Sequence, residues 1–184
     1  MSYHVIVKQG NLLSEQDAAF IVNASNTRLI LGSGVSMAFL RHCGKELQEE
    51  MTYQLAKIGE PLKQGDVVAT SPGHATNFKY ALHAAIMDYN PGTRGNDKFP
   101  TLDVIQKSLE NIEAYLEWYA EKNSQSMKLV LPLMGCGAGG LDKRDVVELY
   151  KKFFWREVGF SCEVALYGYT QEDHQLIESV LSRS

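Results

Sequence analysis

Short apolar runs and helical apolar stripes alternate along this chain. Tyr3 to Lys8 alternates polar and apolar positions, with Val5 and Val7 on one side, and predicts a first strand that turns at Gly10-Asn11-Leu12. Ala18-Ala19-Phe20-Ile21-Val22 is unbroken apolar sequence, as in a buried strand. It runs into a polar bend carrying Asn23 and Asn26, then into the loop Gly32-Ser33-Gly34. From Val35 the period changes. Met37, Leu40, Cys43, Leu47 and Met51 recur at spacings of three or four, which predicts one amphipathic helix with these five side chains inward. Pro61, between Gly59 and Gly65, ends that pattern.

Val67-Val68-Ala69 and the run Tyr80 to Ile86 predict two more strands. Asn90 to Pro100 has two prolines, two glycines and no period, and reads as a loop long enough to cover a site. Thr101 is a good N-cap for a long helix whose stripe is Leu102, Ile105, Leu109, Ile112 and Leu116. Leu129 to Pro132 is the next strand, followed by a second glycine loop, Gly135-Cys136-Gly137-Ala138-Gly139-Gly140. Asp142 caps a helix that turns Val146, Leu149 and Phe153 inward, with Gly159 near its end. Glu163 to Tyr167 is the last strand, and Thr170-Gln171-Glu172-Asp173 is a capping box opening a terminal helix.

Strands and helices alternating in this way predict an α/β fold, a three-layer α/β/α sandwich on a mixed, mostly parallel central sheet. The first two strands, joined by only a short link, are expected to form an antiparallel or mixed pair. A length of 184 residues suits one domain over residues 1–184.

Charge narrows the partners. The net charge of −4 argues against a general polyanion binder and makes RNA an unlikely partner. It leaves room for a small phosphorylated ligand, because backbone N–H groups bind phosphate without net positive charge. Cys43, Cys136 and Cys162 are odd in number and far apart, which predicts reduced thiols and no zinc site. No apolar run approaches membrane-spanning length and no leader pattern opens the chain, so a cytoplasmic protein is expected, with no membrane partner and no cofactor.

The two glycine loops carry the chemistry. A dinucleotide fingerprint would need a third glycine where Met37 stands, and no Gly-Lys-Ser/Thr marks a P-loop. Both loops follow buried strands, where backbone N–H groups gather around phosphates in open α/β sheets. Asn23 and Asn26 have two readings each: they tie down the bend, or they face a ligand. Asn26, nearer the glycines, is the stronger candidate for a ligand hydroxyl. His83, within an apolar strand, reads as a core histidine, while His74, Asp88 and Tyr89 lie on loops and have two readings, as ordinary loop residues or as groups that reach a ligand. Cys136 has no base nearby in sequence and reads as packing rather than a nucleophile.

Ile21-Val22-Asn23-Ala24-Ser25-Asn26 followed by Gly32-Ser33-Gly34-Val35 resembles the macro domain signature, a V-N-A-A-N run ahead of a glycine-rich loop. Gln9 to Leu12, Gly65 to Thr70, Tyr80 to His83 and Pro132 to Gly137 resemble further family segments, in the same order. Macro domains bind ADP-ribose, and some hydrolyse ADP-ribosylated protein, O-acetyl-ADP-ribose or ADP-ribose 1″-phosphate. The resemblance implies that Asn11, in place of an aspartate, accepts from the adenine amino group, that Leu12 contacts adenine, and that Tyr169 stacks on its face. Asn26, with Asn23 beside it, would meet the distal ribose; Gly32, Ser33, Gly34 and Val35, with Gly135, Cys136, Gly137, Ala138 and Gly139, would wrap the diphosphate. Two departures bear on catalysis. Ser36 stands where hydrolytic members carry an aspartate, and serine is no carboxylate base. Gly139 stands where many members place an aromatic, which implies a wider site at the distal ribose. The expected function is binding of free or conjugated ADP-ribose, with ADP-ribosylated protein or ADP-ribose esters as partners. The alternative is a hydrolase of those linkages, in which Asn26 would be the catalytic candidate.

Overall fold

The computed structural model describes residues 1–32, 34–89 and 97–183. Six strands, β1 (Tyr3–Gln9), β2 (Ala18–Asn26), β3 (Val67–Thr70), β4 (Phe78–Met87), β5 (Met127–Leu131) and β6 (Cys162–Gly168), form one sheet in the order β1-β6-β5-β2-β4-β3. All neighbours are parallel except β3, which runs antiparallel to β4 at the edge. Five helices cover the faces: α1 (Val35–Cys43), α2 (Lys45–Ile58), α3 (Leu102–Lys122), α4 (Lys143–Phe154) and α5 (Gln171–Leu181). The core divides accordingly. Phe39, Leu47 and Met51 from α1 and α2 pack with Ile21, Ala81 and Ala165 on one face. Ile105, Val146 and Ile177 from α3, α4 and α5 pack with Phe20, Leu82 and Val164 on the other. The expected three-layer α/β/α sandwich with a mixed, mostly parallel sheet is the fold observed.

Several local expectations change. β1 does not pair with β2; it lies parallel to β6 at the far side of the sheet. β2 continues through Asn23 to Asn26 instead of bending at Asn23, with a register shift only between Ser25 and Asn26. The stripe from Met37 to Met51 spans two helices, because Gly44 takes φ +82° and separates α1 from α2. A side chain at Gly44 would also run into the His74 ring at 2.8 Å. Cys43, Leu47 and Met51 are the fully buried members of that stripe, Met37 and Leu40 are half-buried, and Phe39, outside the stripe, is fully buried instead. Leu102 sits at the first turn of α3 with its side chain exposed. Thr101, Asp142 and Thr170 all cap as expected, each side-chain oxygen accepting from the third backbone N–H beyond it, and Asp173 completes the capping box.

Because β1, β6, β5 and β2 are parallel neighbours, their carboxyl ends share one edge of the sheet. That edge carries Gly10-Asn11, the chain beyond Tyr167, the second glycine loop and the entry to α1.

Candidate functional site

A cavity of about 900 Å³ opens at this edge. Gly34, Val35, Met37 and Ala38 line it from the first turn of α1, and Leu133, Cys136 and Gly137 from the loop after β5. Asn11 and Leu12 line it from the turn after β1, and Tyr167 and Tyr169 from the end of β6. Four segments far apart in sequence thus converge on one space, as open parallel sheets bring ligand loops together.

Two stretches of backbone donors meet this space, at Val35 and at Gly137. Gly34, with φ +57°, is the N-cap of α1 and supplies no side-chain cap. Among the described residues, the N–H groups of Val35 and Ser36 have no acceptor; the intrahelical bonds begin with Met37 N–H to Gly34 O at 3.1 Å. An uncapped first turn presents orphan donors and the positive end of the helix dipole, the arrangement that binds anions. In the second loop Gly140 N–H donates to Gly137 O at 3.1 Å and Leu141 N–H to Gly135 O at 2.9 Å. Those bonds fold the loop on itself and leave Gly137, Ala138 and Gly139 N–H without an acceptor among the described residues. The root of the loop is fixed by buried Tyr150, whose hydroxyl accepts from Met134 N–H at 2.9 Å and donates to Pro132 O at 2.8 Å.

Tyr169 is 77% exposed, so its ring stands free at the cavity rim. Tyr167 below it is buried and donates to Glu15 Oε1 at 2.8 Å. Burial raises the Glu15 pKa, but bonds from Lys8, Lys128 and Tyr167 outweigh that and hold the carboxyl down to about 2. The Asn11 side chain caps the single 3-10 turn Leu12–Ser14, its Oδ1 accepting from Leu13 N–H at 3.0 Å. One lone pair of that oxygen therefore remains for an outside donor.

Other expected ligand residues lie elsewhere. Asn23 is fully buried: its Nδ2 donates to His83 Nδ1 at 2.9 Å and its Oδ1 accepts from Ser36 Oγ at 3.1 Å. Asn26 closes its own turn, its Oδ1 accepting from Arg28 N–H at 3.1 Å and Ile30 N–H at 3.2 Å while its Nδ2 donates to Ile30 O at 2.9 Å. Both lone pairs of that oxygen are used, leaving one amide hydrogen for a ligand. Gly32, Gly135, Ala138 and Gly139 shape the two loops from outside the cavity lining, and Ser33 and residues 90–96 lie outside the described residues. Gly139 in particular is closed in: a Cβ there would stand 2.6 Å from Gly135 O and 2.7 Å from Pro100 Cγ. A side chain there would have to displace the loop or Pro100.

Ser36 and the candidate bases His83, His74, Asp88 and Tyr89 do not line the cavity. Ser36 is buried and also donates to Ala24 O at 3.3 Å. His83 is the satisfied core histidine expected, with desolvation pushing its pKa down to about 3. His74 is exposed and pairs with Glu46 at 3.0 Å. Asp88 accepts from Thr27 Oγ1 at 2.9 Å and the Tyr89 carbonyl accepts from Arg28 Nε at 3.3 Å. Cys136 does line the cavity, but burial pushes its thiol up to about 12, which leaves it protonated and unreactive at neutral pH.

Sequence reasoning missed the cavity's charges. Arg41 and His42, in the last turn of α1, line it, as do Lys143 and Asp173. Lys143 Nζ donates to Asp173 Oδ1 at 2.6 Å and ties α4 to α5. His42 Nε2 donates to Asn77 Oδ1 at 2.8 Å. A consecutive Arg-His on the polar side of an amphipathic helix carries no signal by itself; only the packing of α1 shows where it points. Among the described residues, no group of three or more metal-ligating side chains occurs, and no helix is long and apolar enough to cross a membrane.

Comparison with known proteins fits this layout. The sequence profile of the Macro domain family matches residues 22–150. An uncharacterized protein of Aquifex aeolicus is 32% identical over 146 residues, covering 77% of this chain and 78% of its own. One of Sulfolobus acidocaldarius is 34% identical over 109 residues, covering 59% of this chain, and the aligned part spans only 56% of that relative's length. Among solved structures, the Oceanobacillus iheyensis macrodomain with ADP superposes with a TM-score of 0.73 at 19% identity, over 96% of this chain and 89% of that one. The Trypanosoma brucei macrodomain in complex with ADP-ribose superposes with a TM-score of 0.72 at 20% identity, over 97% of this chain and 69% of that one. With a profile match spanning β2 to α4 and the fold shared over nearly its whole length, this chain belongs to the macro domain family.

Proposed function

We propose that this protein binds ADP-ribose, free or attached to protein, in the cavity at the carboxyl ends of the parallel strands. The observation that carries it is the convergence of two backbone N–H groups without an acceptor among the described residues, Val35 in the first turn of α1 and Gly137 in the second loop, on a cavity with Tyr169 at its rim. A diphosphate needs such donors, and they explain how a chain of net charge −4 takes a dianion. Adenine lies against Tyr169, between Asn11 and Leu12, with the diphosphate at Gly34, Val35 and Gly137. The solved macrodomains holding ADP or ADP-ribose support the choice of ligand.

The sole carboxylate among the described lining residues, Asp173, is held by Lys143, and the lining thiol is protonated. Binding without turnover by the protein's own groups is therefore favoured over hydrolysis. Calorimetric titration with ADP-ribose tests the binding. Saturable heat at ligand concentrations of about 100 μM is expected, and no heat there overturns it. Incubation with ADP-ribosylated protein, O-acetyl-ADP-ribose and ADP-ribose 1″-phosphate tests the alternative. Product from any of them that disappears in Asn26→Ala would make the protein an enzyme.

A further inference from the structure

Arg41 has no role in the ligand pose just described. It lies in the last turn of α1, about 10 Å along the helix axis from Gly34 at 1.5 Å per residue. The backbone donors at the first turn take one anionic group, and Arg41 stands too far along the helix to share it. Among the described residues Arg41 has no hydrogen bond or ion pair, although it lines the cavity. The other cation there, Lys143, is held by Asp173 at 2.6 Å. Arg41 is thus the uncompensated charge of the lining.

The helix turn that carries it is anchored by its neighbour. His42 Nε2 donates to Asn77 Oδ1, and Asn77 Nδ2 donates in turn to Leu13 O at 2.8 Å and Glu15 O at 2.7 Å. The last turn of α1 is thereby tied to the turn that carries Asn11 and Leu12, the nucleoside end of the cavity. The His42 Nδ1 has no partner among the described residues, so the lining offers a second open polar group on the same turn.

An arginine at the nucleoside end, separate from the diphosphate donors, is the device by which nucleotide sites accept a phosphate on the adenosine ribose. Its planar fork matches a phosphate monoester bidentately. Resting on the ADP-ribose reading of the site, we infer that the cavity takes ADP-ribose bearing a phosphate monoester on the adenosine ribose, and that Arg41 binds that phosphate.

Titrations of ADP-ribose and 2′-phospho-ADP-ribose into the wild type and Arg41→Gln, at low and high salt, test this. The phosphorylated ligand should bind about tenfold more tightly at low salt, the preference should shrink as salt rises, and it should collapse in Arg41→Gln. Adenosine 2′,5′-bisphosphate and 3′,5′-bisphosphate, each against 5′-AMP, distinguish the two ester positions; an Arg41-dependent gain with either supports the inference. Equal affinity for plain and phosphorylated ligands, or a preference that persists in Arg41→Gln, overturns it while leaving ADP-ribose binding intact. Absence of ADP-ribose binding with an Arg41-dependent gain for a bisphosphate would instead sink the ADP-ribose reading alone. No binding of any of them overturns both.

Discussion

Asn23 Nδ2 donates to His83 Nδ1 at 2.9 Å across neighbouring parallel strands, where the two residues are register partners. That bond sets the imidazole tautomer, since an amide N–H requires an unprotonated Nδ1. The proton is then on Nε2, which donates to Thr70 Oγ1 at 2.8 Å, and Thr70 passes its own proton to Ser71 O at 2.9 Å. On the other side Ser36 Oγ closes the chain onto Asn23 Oδ1. A line of buried hydrogen bonds thus runs from α1 through β2, β4 and β3, and holds the first turn of α1 against the sheet where it faces the cavity.

A neutral imidazole in this line makes stability depend on pH. Desolvation lowers the His83 pKa from 6.5 to about 3, so between those values the unfolded chain binds a proton that the folded one refuses. Stability from this group is complete above the unfolded value and is lost as pH falls below it. Between pH 7 and pH 5 the loss is on the order of 2 kcal/mol. Urea unfolding at the two pH values should show it, and His83→Gln should flatten that interval. An unchanged slope in the variant would mean that another group is responsible.

Ser36 offers a sharper contrast. An aspartate there would place a carboxylate beside Asn23 Oδ1 and the Ala24 carbonyl, two acceptors, in a buried position. Ser36→Asp should destabilise by about 3 kcal/mol or more, because the charge is buried and unpaired. Ser36→Ala should cost only about 1–2 kcal/mol, the loss of hydrogen bonds. Chemical denaturation of both variants checks this. Aspartate tolerated at wild-type stability would show that position 36 can turn to the cavity.

The strands, capping residues and glycine loops were legible because each obeys a local rule. Phe20-Ile21-Val22 is apolar on both faces of a central strand, and Thr170 with Asp173 forms its box within one turn. What was not legible depends on distant partners. Asn23 looks like a bend in sequence, yet it continues β2, because His83 on β4 satisfies its amide. Gly44 was hidden because Cys43 and Leu47 keep the apolar period on either side of the break. The place of β1 beside β6 is set by the whole sheet, since no short connection constrains it. Arg41 and His42 are lining residues only because the last turn of α1 leans, through Asn77, on the turn at Asn11.

The second loop predicts a difference between two glycines. A Cβ at Gly139 would meet Gly135 O at 2.6 Å, a backbone atom that moves only with the loop, whereas Gly137 has nothing within 4 Å. Gly139→Ala should lower stability by about 1–3 kcal/mol and weaken ADP-ribose, because relief of the clash displaces the donors at Gly137 and Ala138. Gly137→Ala should lie within about 0.5 kcal/mol of wild type in stability. Thermal unfolding and calorimetry on the pair check both halves, and equal effects would mean that the loop does not hold the shape described.

Tyr169 separates binding from folding most cleanly. Its ring is 77% exposed and makes no side-chain hydrogen bond among the described residues, whereas Tyr167 two residues earlier is buried and bonded to Glu15. Truncation of Tyr169 removes little buried surface, so Tyr169→Ala should change stability by less than about 0.5 kcal/mol. Stacking of a base on an aromatic ring is worth about 1–3 kcal/mol, so the same variant should bind ADP-ribose about fivefold to a hundredfold more weakly. Tyr169→Phe keeps the ring and should bind within about threefold of wild type, since the hydroxyl has no part in stacking. Calorimetric titration of the three proteins, with unfolding measured in parallel, reads both quantities. Full affinity in Tyr169→Ala would place the adenine away from β6 and remove the basis for assigning Asn11 and Leu12 to the nucleoside.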